Sequence, residues 1–265
     1  LVSVLYSIVD RMYIGNIPDI GTVALAGVGV CGPIVTLLSS FATLVGLGGA
    51  PNLAMRMGEG NRDEAQRVLN NGFLMLLVLS GVLTALFLLL REPLLMCFGA
   101  SEATFPYANT YLTIYTAGTF FALMATGMNS FLICQGRSGL GMATVLVGAV
   151  MNVVLDPIFI YLLGLDVAGA AIATVISQMC SCVPVLLLLR RKSMPVRLGW
   201  GGFQWRVVGR IASFGLTPFL IIATDSVLLI VLNAMLQRYG GPGEGDILVT
   251  CATIVQSYMC IITMP

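Results

Sequence analysis

Histidine is absent from this sequence, and charged residues are scarce. Only 9% of its 265 residues are charged, whereas a soluble domain carries about 25%. Without histidine the chain has no imidazole base, no Ser-His catalytic triad and none of the common His-containing zinc sites. The net charge is +1, and no basic face is long enough to follow a phosphate backbone, so we expect no nucleic acid partner.

The seven cysteines are scattered through apolar segments, and none belongs to a CxxC pair. This arrangement argues against a disulfide framework or a metal cluster. The first residue is leucine, and no charged segment precedes the apolar stretch as it does in a cleavable signal. Residues 1–9 are too few for a full span and residues 261–265 lack a polar flank, so we expect both ends of the chain to be cut.

Long apolar segments are what the sequence has in abundance. Hydrophobic residues make up 58% of the chain, and the mean hydropathy is +0.97. A helix needs roughly 20 apolar residues to cross a bilayer, and charged residues divide the chain into segments of about that length or longer. The sequence therefore predicts an all-α polytopic membrane protein. Its eight candidate helices cover residues 1–16, 22–55, 68–90, 104–134, 138–163, 168–189, 211–237 and 247–265.

The basic residues predict the orientation of the chain. Ten of the 13 lysines and arginines lie in alternate loops: three in 56–67, one at 137 and six in 190–210. The other side holds only Arg11, Arg91 and Arg238. Because basic loops remain in the cytoplasm, we expect these three loops to be cytoplasmic and the protein to lie in the plasma membrane, the inner membrane of a bacterium.

The stretch 190–210 also marks a change in composition and predicts the domain organisation. We expect residues 1–190 to form a six-helix amino-terminal lobe with a truncated first helix, and residues 191–210 to form a cytoplasmic linker. Residues 211–265 would then be the first two helices of a truncated second lobe. A weak similarity at an offset of 223 residues supports this division, because an even number of helices separates the two copies, as in a parallel repeat.

Three acidic residues, Asp10, Asp156 and Asp225, lie within predicted spans, where a charge costs about 2.5–3.5 kcal/mol. At 1.5 Å per residue, Asp10 and Asp156 lie about 12 and 15 Å inward from the outer loops. Asn152 shares a helix face with Asp156 at i, i−4, and Thr174 has a similar depth. These four side chains are therefore predicted to form a site for Na⁺ or a shared proton.

Tyr111 has a similar depth on the fourth helix and is a possible additional member of the site, as is Asp225. Other interpretations remain open. Asp10 with Arg11 is also consistent with an interfacial salt bridge, and Asp156 with the satisfaction of backbone groups freed by Pro157. The Thr174 hydroxyl is consistent with helix packing, and the methionines and fourth-helix aromatics with packing and lipid contact rather than a drug cavity.

Several motifs together resemble the multidrug and toxic compound extrusion (MATE) family, and the resemblance runs over the whole chain. The segments that carry it are LYSIVDRMYIG at 5–15, GLGGAP at 46–51, GEG at 58–60, NVVLDP at 152–157 and GAAIAT at 169–174.

The resemblance implies a twelve-helix antiporter with two parallel six-helix lobes, which exports cationic or amphipathic compounds in exchange for Na⁺ or H⁺. It implies no enzyme activity, no cofactor beyond that coupling ion, and a monomer in contact with membrane lipid. The family's cation site matches Asp10, Asn152, Asp156 and Thr174, and some branches have an acid where Asp225 stands. Because half of helix one and the last four helices are missing, we do not expect the chain alone to complete a transport cycle.

Other functions fit the sequence less well. A lipid-linked oligosaccharide flippase of related architecture would be expected to have a cluster of cationic residues in its cavity, whereas no lysine or arginine falls in the middle of a predicted helix. An intramembrane aspartyl protease would use Asp10 and Asp156 as a dyad, but its GxGD signature is absent and residues 164–166 match it only in part. A purely structural membrane protein would not need three intramembrane acids.

Overall fold

The computed structural model describes the backbone of residues 2–240 and 244–263, and the side chains of residues 8–240, 244–259 and 262. Regular secondary structure in this described part is helical. Its nine α-helices are α1 (Val2–Gly15), α2 (Gly21–Gly58), α3 (Arg62–Cys97), α4 (Phe105–Ala117), α5 (Thr119–Cys134), α6 (Ser138–Pro157), α7 (Asp166–Arg190), α8 (Trp205–Tyr239) and α9 (Glu244–Thr263). A π-helical turn, Ile158–Leu162, directly follows α6.

Each predicted apolar segment corresponds to one helix or to a pair of helices. Among the described residues, α2, α3, α6 with its π-helical turn, α7 and α8 are long and apolar enough to cross a membrane, and the bent pair α4–α5 makes a sixth candidate span. The pair replaces the single helix predicted over 104–134. It bends by 55° at Gly118, where a side chain would collide with Val175 of α7. The architecture confirms the prediction of an all-α polytopic membrane protein.

Helix α3 is longer than the sequence predicts. The predicted range 68–90 is bounded by basic residues, whereas the helix extends beyond it at both ends. At its start the Asn61 side chain accepts a hydrogen bond of 3.1 Å from the backbone N–H of Glu64, which satisfies one of the unpaired donors of the first turn. Asp63 and Glu64 also place negative charge at the positive end of the helix dipole. Charged residues therefore limit the apolar span without ending the helix.

Helix α2 packs against α1, α3, α4, α5, α8 and α9. Its contact with α8 depends on two glycines. A Cβ at Gly48 would meet the carbonyl oxygen of Ile211, and a Cβ at Gly215 would overlap the carbonyl oxygen of Leu44. The two helix backbones are thus in direct contact, which is how small residues bring membrane helices together. The outer faces carry apolar side chains such as Leu89, which is 81% exposed, as expected for contact with lipid.

Residues 191–204 form an irregular connection between α7 and α8. We call the end of the fold that carries this connection and the turns at 59–61 and 135–137 the basic end. The connection packs against it: the Val196 N–H donates a bond of 3.0 Å to Gln135 Oε1, and Val196 is itself buried. Because α8 begins at Trp205, the last part of the predicted linker is helical. The division of the chain into two lobes stays a prediction.

Two neighbouring asparagines of α3, Asn70 and Asn71, hold the connection by its backbone. Asn71 Oδ1 accepts a hydrogen bond of 2.9 Å from the Gln204 N–H, and its Nδ2 donates one of 2.9 Å to the Gly202 carbonyl. Asn70 Oδ1 accepts one of 2.9 Å from the Gly199 N–H. Amide side chains that donate and accept at once are well suited to holding an irregular backbone.

We expect Asn71→Ala to loosen this connection. Losing two hydrogen bonds worth about 1 kcal/mol each should raise the rate of trypsin cleavage within residues 191–210 by about tenfold or more. Asn52→Ala is the matched control, because Asn52 Nδ2 donates only to the Gly48 carbonyl of its own helix. Equal cleavage rates in the two variants would show that the asparagines do not hold the connection.

Candidate functional site

Three of the four residues predicted to bind the coupling ion are joined by hydrogen bonds. Asn152 Nδ2 donates to Asp156 Oδ1 at 3.2 Å, one turn further along α6, and to Thr174 Oγ1 of α7 at 3.4 Å. All three residues are buried, and Asp156 is 0% exposed. The Asn152 amide therefore connects the carboxylate and the hydroxyl across two packed helices.

Asp10, the fourth predicted ligand, is buried on α1, which packs against α6. It is close enough to Asp156 for the charges of the two carboxylates to interact. None of the ion pairs within 4 Å among the described residues joins Asp10 to Arg11. Consecutive side chains of a helix point about 100° apart, which keeps the two charged groups from pairing directly. The alternative of a salt bridge between Asp10 and Arg11 is therefore not seen in the structure.

Three buried oxygens at this place have no hydrogen-bond partner among the described residues: Asp10 Oδ1, Asn152 Oδ1 and Asp156 Oδ2. Buried polar atoms are rarely left unpaired, and each such atom costs about 1–3 kcal/mol. Carboxylate, amide and hydroxyl oxygens are ligands that hard cations take in proteins, whereas two neighbouring carboxylates can instead share a proton. The donor set fits either coupling ion.

The proline after Asp156 does not account for its carboxylate. Pro157 ends α6, and the carbonyl that a proline frees needs a hydrogen-bond donor, which an ionised carboxylate is not. In the structure Asp156 Oδ1 accepts from Asn152, and Oδ2 has no partner among the described residues. The side chain points to the other site residues rather than satisfying the broken backbone.

The π-helical turn beyond Asp156 links the three helices that carry the site. The Tyr161 hydroxyl donates a hydrogen bond of 2.8 Å to the Tyr13 carbonyl of α1. On the other side, a Cβ at Gly169 of α7 would collide with the backbone of Phe159. Such turns often occur at functional sites because they change the direction of the side chains around them. Here the turn fixes α6 between α1 and α7.

The two possible additional residues have different surroundings. Tyr111 is buried on α4, stacks on Tyr115 with ring centroids 6.2 Å apart, and lies close enough to Asp10 to interact with its charge. Asp225 is an exposed residue of α8, a helix that packs against α2, α3 and α9. The structure thus places Tyr111 beside the site and leaves Asp225 apart from it. An ion-binding role for any of these residues stays a prediction.

A cavity of about 650 Å³ lies next to the site, between α1, α2, α5, α6 and α7. Gly148 and Ala149 of α6 line it, one turn from Asn152, and Ser177 and Gln178 of α7 line it, one turn from Thr174. One helical turn is about 5.4 Å. The cavity and the candidate ion site therefore lie side by side on the same two helices.

Arg11 also lines this cavity, and sequence reasoning missed it. The count of basic residues assigns Arg11 to the outer side of the membrane. Arg11 is nevertheless the neighbour of Asp10 and has a similar depth, and this depth is the sequence signal that could have marked it as a site residue. Arg11 Nη1 donates to Ser257 Oγ at 2.5 Å and to the Thr253 carbonyl at 3.3 Å, both on α9. At the same end of the fold, Ser101 Oγ donates to Asp246 Oδ2 at 2.9 Å. Helix α9 thus contributes Ser257 to the cavity wall and contacts the end of the fold opposite to the basic end.

Long apolar helices packed through small residues, with buried acids beside a drug-sized cavity, define a multi-pass membrane protein of the transporter class. The family model MatE matches residues 1–158, more than half of the chain. The chain belongs to the MatE family, which confirms the resemblance seen in the sequence.

Two curated relatives and one solved structure show the extent of the similarity. A FAD transporter of Shewanella oneidensis is 29% identical over 195 residues, covering 71% of this chain and 42% of the relative. The multidrug export protein MepA of Staphylococcus haemolyticus is 26% identical over 242 residues, covering 91% and 53%. The chain therefore spans about half the length of these relatives.

The solved structure is the inward-facing conformation of a multidrug resistance MATE family transporter of the MOP superfamily. It superimposes with a TM-score of 0.87 at 25% identity, over 96% of this chain and 56% of that chain. The relatives described here are named as transporters or export proteins, and this supports the prediction that the chain is not an enzyme.

Proposed function

We propose that this chain is the amino-terminal lobe, with the first two helices of the second lobe, of a cation-coupled carrier that exports small amphipathic compounds. The observation that carries this proposal is the group of three buried oxygens, on Asp10, Asn152 and Asp156, that have no hydrogen-bond partner in the described part of the chain. Unpaired carboxylate oxygens inside a membrane mark ion pathways more often than structural features. The carrier would lie in the plasma membrane as a monomer in contact with lipid, with its basic end in the cytoplasm.

The neighbouring cavity supplies a physical route for coupling. Binding of Na⁺ or H⁺ would alter the hydrogen bonds of Asn152 and Thr174, and residues one turn away on the same helices line the cavity. Because coupling between two sites is reciprocal, an ion that changes cargo affinity is itself bound more weakly or more tightly when cargo is present. No catalytic step is involved, and the coupling ion is carried rather than consumed.

The relatives differ in cargo, since one is named a multidrug export protein and the other a FAD transporter. Family membership alone therefore does not assign a substrate. The cationic cargo implied by the sequence resemblance stays a prediction, and the charge of the cargo depends on the cavity that receives it.

Transport by the carrier that contains this chain tests the proposal. We expect proteoliposomes to move an amphipathic dye against its gradient when a Na⁺ gradient or a pH gradient is imposed, and to stop when that gradient is collapsed with an ionophore. Protein-free liposomes under the same gradients are the control. Dye movement that is independent of both gradients would contradict cation coupling, and no movement at all would contradict the carrier function.

A further inference from the structure

Among the described residues, only one nitrogen of the Arg11 guanidinium has hydrogen-bond partners. Its Nη1 bonds Ser257 and Thr253, but no described residue accepts a hydrogen bond from Nε or Nη2. Arginine has five N–H donors in a fixed planar fork, which matches the two oxygens of a carboxylate or phosphate. Every acidic residue of the sequence lies in the described part of the chain, and none there is within 4 Å of Arg11.

The cavity wall contains no compensating negative charge either. Among the described residues that line the cavity, Arg11 is the only charged one. Asp10 is the adjacent residue, and its charge interacts with both Arg11 and Asp156, but it is not part of the cavity wall. Helix α1 therefore presents a positive charge to the cavity and a carboxylate to the ion site.

Toward the basic end of the cavity, the groups without a partner among the described residues are hydrogen-bond acceptors. Asn129 Oδ1 and Gln178 Oε1 are buried atoms without a partner among the described residues, and both residues line the cavity. The Gln178 amide is held in place because its Nε2 donates to the Tyr115 hydroxyl at 3.2 Å. The remaining wall combines alanine, valine and isoleucine side chains with serine and threonine hydroxyls. The cavity thus offers guanidinium donors at one end, amide acceptors toward the basic end, and a mixed apolar and hydroxyl surface around them.

We propose that this cavity binds an amphipathic organic anion, with Arg11 receiving its carboxylate or phosphate and Asn129 and Gln178 accepting hydrogen bonds from N–H or O–H groups on its body. The inference rests on the proposed carrier function, because it assigns the cargo of that carrier. It differs from the cationic cargo that the resemblance implies. An organic cation would lie beside an arginine that makes no ion pair within 4 Å with any acid of the chain, and like charges repel strongly where water is excluded.

The test uses two dyes that share a xanthene core and differ in charge. Fluorescein is an anion at neutral pH, and rhodamine 123 is a cation. Their affinities for the purified full-length carrier are measured by fluorescence anisotropy in detergent. We expect tighter binding of fluorescein than of rhodamine 123 by the wild type. In Arg11→Gln, fluorescein should bind roughly 10- to 100-fold more weakly, since a charge-assisted hydrogen bond is lost, and rhodamine 123 should bind no more weakly.

Arg91→Gln is the matched control. Arg91 lies at the same end of the fold and donates to the Thr113 hydroxyl at 3.4 Å, but it does not line the cavity. Arg11→Lys keeps the positive charge and should retain most of the fluorescein affinity. If Arg11→Gln does not fold, the comparison of the two dyes on the wild type and on Arg11→Lys still decides the matter.

Three results would overturn the inference: no saturable fluorescein binding, tighter binding of rhodamine 123 by the wild type, or equal fluorescein affinity in the wild type and Arg11→Gln. Transport of both dyes into proteoliposomes separates this inference from the carrier function. Transport of rhodamine 123 without fluorescein binding leaves the carrier standing and removes the anion site. Fluorescein binding that requires Arg11, without transport of either dye, supports the anion site and contradicts the carrier.

Discussion

Asp156→Asn is expected to abolish cation-coupled export while leaving the protein inserted and folded. The amide keeps the shape of the side chain and still accepts the hydrogen bond that Asn152 donates at 3.2 Å. It cannot take up a proton or supply negative charge to a cation, so the ion should no longer bind and its gradient should no longer drive export. Removing a charge from the membrane should ease insertion by up to about 2.5–3.5 kcal/mol, and a folding defect is not expected.

Dye efflux and cation binding are measured side by side, at equal membrane abundance, on the wild type, Asp156→Asn and Asp166→Asn. Asp166 provides a matched control because it is an exposed acid at the start of α7. Its φ of 48° lies in the left-handed region, which asparagine tolerates well. Efflux with unchanged cation dependence in Asp156→Asn would mean that Asp156 is a structural acid, and the site would have to be sought at Asp225.

Gly215→Val is expected to disrupt the packing of α8 on α2. A Cβ at Gly215 would overlap the carbonyl oxygen of Leu44, and a backbone carbonyl cannot move aside as a flexible side chain can. Overpacking of this kind costs about 1–3 kcal/mol or more. For a protein of this size the loss should lower the Tm in detergent by roughly 5–10 °C and reduce the yield of folded protein.

The control is Gly209→Val on the same helix, where no atom lies within 4 Å of the added Cβ. Both variants exchange glycine for valine in a helix, so the change in helix propensity is shared. Their difference in Tm therefore measures the collision with Leu44 alone. Equal values for the two variants would show that α8 does not approach α2 as closely as the structure indicates.

Depth along the helices is enough to predict most of the candidate site from the sequence. The spacing of Asn152 and Asp156 places them on one helix face, and the structure joins them and Thr174 by hydrogen bonds. Depth is informative because an apolar span has known length and rise, so that counting residues from a loop gives a height. The same counting does not give the direction of a side chain around its helix, which is why the sequence leaves a salt bridge between Asp10 and Arg11 open.

Contacts between distant parts of the chain could not be predicted in this way. Arg11 bonds Ser257, nearly the whole chain away, and nothing local in either segment indicates the partner. The close contact at the Gly118 bend is also between distant segments, because a Cβ at Gly118 would collide with Val175 of α7. The apolar pattern shows which segments enter the membrane, whereas their mutual packing depends on shape.

The length of α2 has a consequence for the thickness of membrane that the fold can match. Its 38 residues make about 57 Å at 1.5 Å per residue, and even a tilt of 40° would leave about 44 Å along the membrane normal, against a hydrocarbon layer of about 30 Å. At least one end of this helix must therefore stand outside the lipid. Its carboxyl end carries Arg56, whose side chain pairs with Glu59 at 2.8 Å and Glu64 at 3.0 Å. This end belongs to the basic end of the fold, for which a cytoplasmic position is proposed, so these ions can remain in water when the bilayer becomes thinner or thicker.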